Sequence, residues 1–449
     1  MRNILKGAHV LSVALGCSVC QAAGAQGPAP LWTYDAADLI RSSPALADDG
    51  TIYFGAGGTL YAITNGGSNK WTFATQNRRD SSPAVATDGT IYYSSSGSGY
   101  LYAINPDGTQ RWRYLAQSGN GSPAIAADGT VYVSGYVALH AVSPYGTNRW
   151  IYSMGPETSD QYRSPSVLGD QSICIADYDY RKFYCLTKDG APIWNLQMGD
   201  IPGDSAGLGG DGSIYFSVHQ LFAFSPAGTN LWSSQTNDFL QASPAVGKDG
   251  TIYIATSGSS LCAFTSSGEF KWQVLTNGYW PFSVGVTPAI DSAGTIYYPS
   301  FSVLYAISPA GDILWSFPLI PDPETAFHVS QTSPAIGPDG TIYVTSANRL
   351  YAFAGTNQLA NSPWPMYRQN ARHTGRIEKA SIKAPGKRAD ANFQFQLYAA
   401  TGQTQTVQTS TDLVSWSSLT NVVVTNVPMD VVDLSASNAQ MRFYRTRSQ

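Results

Sequence analysis

Residues 82–93 read "SPAVATDGTIYY", and close variants of this phrase recur through most of the chain. "SPAVA" is a short apolar run. "DG" is a tight-turn pair, because both residues tolerate the positive φ that hairpin turns require. "TIYY" is rich in β-branched and aromatic residues, which suit a strand. The phrase that follows, "LYAINPDGTQRW", adds a third strand, a second turn and a fourth strand bearing Trp112. One repeat therefore encodes four short antiparallel strands, A to D.

The proline of the phrase falls at Pro44, Pro83, Pro123, Pro165, Pro244, Pro288 and Pro334. A divergent copy, "DSAGLGGDGSIYF", puts Ser205 in that slot. Successive copies lie about 40 residues apart, the period of one supersecondary unit stacked repeatedly. A glycine stands four residues before the strand D tryptophan in seven units, from Gly67 and Trp71 to Gly311 and Trp315, which implies a shared turn and packing slot. Four-stranded units at this period predict an all-β fold, an eight-bladed β-propeller. The eighth unit has no Trp four residues after Gly355, whereas "PLWTYD" around Trp32 is a spare strand at the other end. The N-terminal strand is therefore expected to complete the last blade and remove the raw edges of an open ring.

Composition fits this reading. Charged residues make up only 12% of the chain, against roughly 25% in average proteins, while Gly, Tyr and Trp number 43, 27 and 11. The net charge of -4 is mild and carries no basic face, so no nucleic-acid partner is expected. Arg2 and Lys6, the apolar stretch Val10 to Val19 and the small residues Ala23 and Ala25 read as an export signal over 1–25. "ALGC" leaves lipid anchoring at Cys17 as an alternative. No later apolar run is long enough for a membrane span. The expected location is periplasmic or extracellular, and the expected state a monomer.

The repeat "SPA…DGTIY…LYAI…G…W" resembles those of the PQQ-binding-like β-propeller family. That family includes quinoprotein alcohol dehydrogenases and the propeller lipoprotein of the outer-membrane assembly machinery. "WPMYRQNARHTGR", Trp364 to Arg376, also resembles a segment of exported members. The resemblance implies the propeller fold over 26–376 and leaves function open. The dehydrogenases pair adjacent cysteines over the quinone and hold calcium with carboxylates and amides. Here no two cysteines are adjacent, so neither PQQ nor calcium is expected.

Residues 377–391 read as a linker, and 392–449 as a small β-sandwich-like accessory domain. The strand order divides the propeller into two faces. A–B and C–D turns are short and glycine-rich on one. The D–A connections on the other are long and varied, and binding function concentrates in such loops. They offer Arg78, Arg79, Asp80, Arg163, Trp280 and His328. Arg41, Asn120, Gln241 and Gln331, with Asp80, stand three residues before their blade's proline slot and are expected to ring the channel mouth. No catalytic residue is assigned, and no zinc spacing survives outside the signal. Cys174 and Cys185 sit symmetrically about a hairpin centre at Asp179 and Tyr180, so a disulfide or two buried thiols both fit. The favoured function is an exported, non-catalytic scaffold binding a protein or polysaccharide partner. The alternative is a quinone-dependent oxidoreductase or a polysaccharide-active propeller enzyme.

Overall fold

The structure is a computed structural model that describes residues 25–376, apart from 76–80, 96–97, 118–120, 156–162, 178–179, 201–202, 235–239, 241, 259, 277–285, 301 and 320–331, and six strands between 381 and 448. Eight four-stranded blades follow the repeat. Blade 1 is typical: strand A at Ala45–Leu46, B at Ile52–Ala56, C at Thr59–Ile63 and D at Asn69–Ala74. Blades 2 to 7 repeat this order, each strand antiparallel to the next.

Blade 8 confirms the predicted closure. Its strand C, Arg349–Phe353, pairs with the N-terminal strand Pro30–Asp35, so Trp32 takes the strand D slot. A further strand, Ala25–Gln26, runs parallel to strand D of blade 7, opposite Trp315 and Ser316.

The Gly–Trp spacing has a direct physical cause. Seven of the eight strand D indoles lie on a turn glycine of the next blade and donate their Nε1–H to a carbonyl of that turn. Trp71 covers Gly108 and donates to Pro106 O at 2.9 Å; Trp112 covers Gly146 and donates to Pro144 O at 2.9 Å. Gly108 has φ +88°, and a Cβ there would sit 2.7 Å from the Trp71 ring. Glycine is thus required twice, for conformation and for space. Trp315 has no such turn beside it, because the chain ends of blade 8 do not join. Gly27 fills the gap, its Cβ position only 2.5 Å from the Trp315 ring. In every blade but the fourth, the tyrosine of "TIY" supports the indole from its own blade, as Tyr53 does Trp71 with ring centres 5.7 Å apart.

Among the described residues, the serine of "SPA", or the residue in its slot, builds an inner belt across seven of the eight blade junctions, all but that between blades 6 and 7. The Ser43 N–H donates to Ser82 Oγ at 2.9 Å, Ser82 N–H to Ser122 Oγ at 3.0 Å, and Ser122 N–H to Ser164 Oγ at 2.9 Å. Ser164 N–H donates to Asp204 Oδ1 at 3.3 Å, Ser205 N–H to Ser243 Oγ at 2.9 Å, Thr287 N–H to Ser333 Oγ at 2.9 Å, and Ser333 N–H back to Ser43 Oγ at 3.0 Å. These backbone donors lie at blade junctions that exclude water, so each needs a partner from its neighbour.

Beyond residue 376, two three-stranded sheets form. Ser381–Lys387, within the segment expected as a linker, is itself a strand, paired with Phe393–Tyr398 and so with Met429–Asp433. Thr404–Ser410 lies between Ser417–Val423 and Phe443–Ser448. Among the described residues no helix is long and apolar enough to cross a membrane.

Candidate functional site

The central channel is occupied. The segment 359–376 runs along the inner strands and offers its carbonyls to their free edges. Leu46 N–H donates to Ala371 O at 2.7 Å, Val85 to Arg372 O and Ile125 to Thr374 O at 2.8 Å, and Val167 to Gly375 O at 2.7 Å. Val246 N–H donates to Trp364 O at 2.7 Å and Ile290 N–H to Pro365 O at 3.0 Å. One segment therefore satisfies strand A donors of six blades. Trp364, Met366, Arg368 and His373 are wholly buried in it.

The plug is polar where it meets the belt. Tyr367 donates to Asp204 Oδ2 at 3.0 Å and also lies 3.2 Å from Ser122 Oγ and 3.4 Å from Ser164 Oγ. Asp204 belongs to the divergent fifth repeat, where it stands in the belt's serine slot. Arg368 donates to the carbonyls of Pro165 and Pro123. Burial lowers the Arg368 pKa, against the opposing pull of Tyr367 and Asp204. Burial, with Arg368 beside it, pushes His373 down to about 3, so its ring is neutral. These groups hold the hub together and form the floor below the loop-rich mouth.

Of the candidate loop residues, Arg41 is exposed and Arg163 half-buried. Arg78, Arg79, Asp80, Asn120, Gln241, Trp280, His328 and Gln331 lie outside the described residues. The described part of this face carries residues that sequence reasoning passed over. Leu115 at the end of strand D in blade 2, Tyr136 in the B–C turn of blade 3 and Leu275 after strand D of blade 6 are all exposed. Tyr136 N–H donates to Gln117 O at 3.1 Å, which ties its turn to the end of blade 2 beside Leu115. Only departures from the repeat could have flagged them: "SGYVA" interrupts the usual B–C hairpin. Nearby, His140 lies 3.2 Å from the Tyr114 hydroxyl, and burial lowers its pKa to about 4. His219 pairs with Asp200 at 2.9 Å.

Cys174 and Cys185 are directly opposed on strands B and C of blade 4, in the register the hairpin centre predicts. Cys174 takes the slot of the indole-supporting tyrosine and Cys185 that of its alanine partner; Phe183 supports Trp194 instead. The two thiols are free, with sulfurs 3.0 Å apart, and burial, then contact with Cys185, pushes the Cys174 thiol well above its usual range. Among the described residues no group of three or more His, Cys, Asp or Glu side chains is gathered as a metal cluster would require.

Comparison with known proteins adds three findings. The sequence profile described as "Outer membrane protein assembly factor BamB" matches residues 18–187 and 181–418. No curated protein sequence matches the chain. Among solved structures, BamB from Moraxella catarrhalis superposes with a TM-score of 0.59 at 16% identity, over 72% of this chain and 98% of that one. The C-terminal WD40 domain of Sif2 gives 0.58 at 11% identity, over 74% and 99%. At these identities both similarities concern the fold.

Proposed function

We propose that this chain, which belongs to the outer membrane protein assembly factor BamB family, is an exported, non-catalytic scaffold that binds a protein partner through its loop-rich face. It works without quinone or calcium, on the periplasmic or outer-membrane side of the cell. The observation that carries the reading is the exposed pair Leu115 and Tyr136, with half-buried Arg163 in the neighbouring blade, above a channel already filled by the chain itself. Aromatic, aliphatic and Arg side chains on a rigid frame are the material of interface cores. The plugged channel leaves nothing to thread through the ring and directs recognition to the rim.

The experiment places a photo-crosslinking amino acid at Tyr136 or at Tyr145, a C–D turn residue on the opposite face that is 79% exposed. In cells that export the protein, crosslinks to a discrete partner are expected from position 136 and not from position 145. Crosslinks from position 145 alone overturn the choice of face.

A further inference from the structure

The turn face is less uniform than its repeated glycines suggest. In blades 1, 2, 3 and 6 the residue just before the strand D tryptophan is Lys70, Arg111, Arg149 or Lys271, and each reaches the aspartate of its own A–B turn. Lys70 Nζ lies 3.1 Å from Asp49, Arg111 Nη1 3.0 Å from Asp88, Arg149 Nη1 2.6 Å from Asp128, and Lys271 Nζ 3.8 Å from Asp249. Lys70, Arg111 and Lys271 also bond the threonine hydroxyl two residues on, at 3.0, 2.8 and 2.8 Å. The fold therefore builds a defined seat for a cation, made of an anchored carboxylate and a hydroxyl.

Blades 4, 5 and 8 keep the seat and lack its occupant, with Leu31 before Trp32 and Asp339 in the turn of blade 8, but only blades 4 and 5 lie side by side. Asp170 and Asp211 accept the N–H of Ser172 and Ser213 at 2.9 Å, as Asp49 accepts that of Thr51. Where the cation should stand are Ile193 and Leu231, 45% and 51% exposed. Both carboxylates are exposed, and among the described residues neither forms a salt bridge. The two blades are neighbours, joined by Trp194 donating to Pro226 O at 2.8 Å.

We propose that the turn face of blades 4 and 5 docks a basic, extended segment of a protein partner, whose Lys or Arg side chains take these two adjacent empty seats. The cation meets the carboxylate and the seat hydroxyl, as in blades 1, 2 and 6. The methylene stem lies along Ile193 or Leu231, as long cationic side chains do on apolar surface. One exposed ion pair binds weakly. Two adjacent seats engaged by one segment multiply, since the second contact is intramolecular. The surface is opposite the loop-rich face, so this inference stands apart from the preceding reading.

The test uses the full exported chain and a labelled dodecapeptide alternating lysine with valine and serine, followed by fluorescence anisotropy. Saturable binding that weakens as salt rises is expected. A double variant, Ile193→Lys with Leu231→Lys, fills both seats from within, as Lys70 and Lys271 do naturally. It should fold normally and bind at least about tenfold more weakly. Asp170→Asn with Asp211→Asn should lose binding likewise. Leu314→Lys with Tyr145→Lys adds the same charge on the same face without filling a seat, because Ala293 replaces the turn aspartate of blade 7; it should bind almost as wild type does. Absence of wild-type binding, or equal loss in this charge control, overturns the proposal. So does self-association abolished by filling the seats, which would make a second copy the occupant, or binding to phosphatidylethanolamine vesicles in place of the peptide.

Discussion

The outer girdle and the inner hub solve the same problem, how to bind eight blades into a ring, by different chemistry. In the girdle, seven of the eight indoles press on the next blade's glycine and donate one hydrogen bond each, and the arrangement depends on shape. In the hub, serine hydroxyls take neighbouring N–H groups, and one segment caps the inner strands of six blades. The hub depends on satisfying polar groups that water cannot reach. The girdle should therefore fail when volume or connectivity changes, and the hub when protonation or hydrogen bonding changes.

The sharpest way to break the girdle is to remove the strand that closes it. Deleting residues 26–36 removes Trp32, uncovers the Trp315 ring that Gly27 covers, and exposes strand C of blade 8 as a raw edge. Losing a packed aromatic alone costs about 3–5 kcal/mol. The deletion should cost roughly 5 kcal/mol or more, seen as a large fall in denaturation midpoint together with self-association through the bared edge. An unchanged midpoint would show that the ring does not rely on its clasp.

A single methyl group gives the next effect. Gly108→Ala forces an L-residue to φ +88° and drives its Cβ to 2.7 Å from the Trp71 ring. The expected loss is about 2–4 kcal/mol, combining backbone strain with overpacking. Gly169 has no atom within 4 Å of its Cβ position, so Gly169→Ala should change stability by less than about 0.5 kcal/mol. Urea titrations of both variants measure the contrast, and similar losses would detach the girdle from its glycines.

The same division governs what the sequence discloses. The girdle is legible because its rule repeats at fixed spacing: Gly67 and Trp71, then six more pairs. Even the orphan Trp32 announced the clasp. The serine belt was in plain view within "SPA", but its bonds join residues about 40 apart in neighbouring blades, and nothing local marks Ser82 as a partner of Ser43. The plug occurs once, so no periodicity reveals it. Its resemblance to a segment of related exported proteins identifies 364–376 without placing it in the channel. Leu115 and Tyr136 escape for a related reason: Leu115 fills an ordinary strand slot and Tyr136 an irregular turn, and only the completed ring leaves both uncovered on one face. Asp204 falls in the divergent repeat, where no pattern singles it out, yet it is the acceptor for Tyr367 at the hub.

The smallest of these effects belongs to the hub and is set by pH. His373 is buried and neutral in the folded chain, with its pKa lowered to about 3, whereas an exposed imidazole in the unfolded chain titrates near 6.5. Between those values the unfolded chain binds the proton and the folded chain does not. Stability therefore rises with pH across this window: it is fully present above about pH 6.5 and falls as acid is added, until the folded histidine itself titrates. At pH 5 the loss from His373 alone is roughly 2 kcal/mol relative to pH 7.5. His140, lowered to about 4 by burial, adds a loss of the same sign. His373→Phe keeps a flat ring against Tyr367, whose ring centre lies 5.5 Å away, and removes the titrating group. The variant should lose about half as much stability as wild type between pH 7.5 and pH 5, measured by urea denaturation at both values. If both proteins lose stability equally, the acid sensitivity resides elsewhere, and the hub is held by packing in the same manner as the girdle.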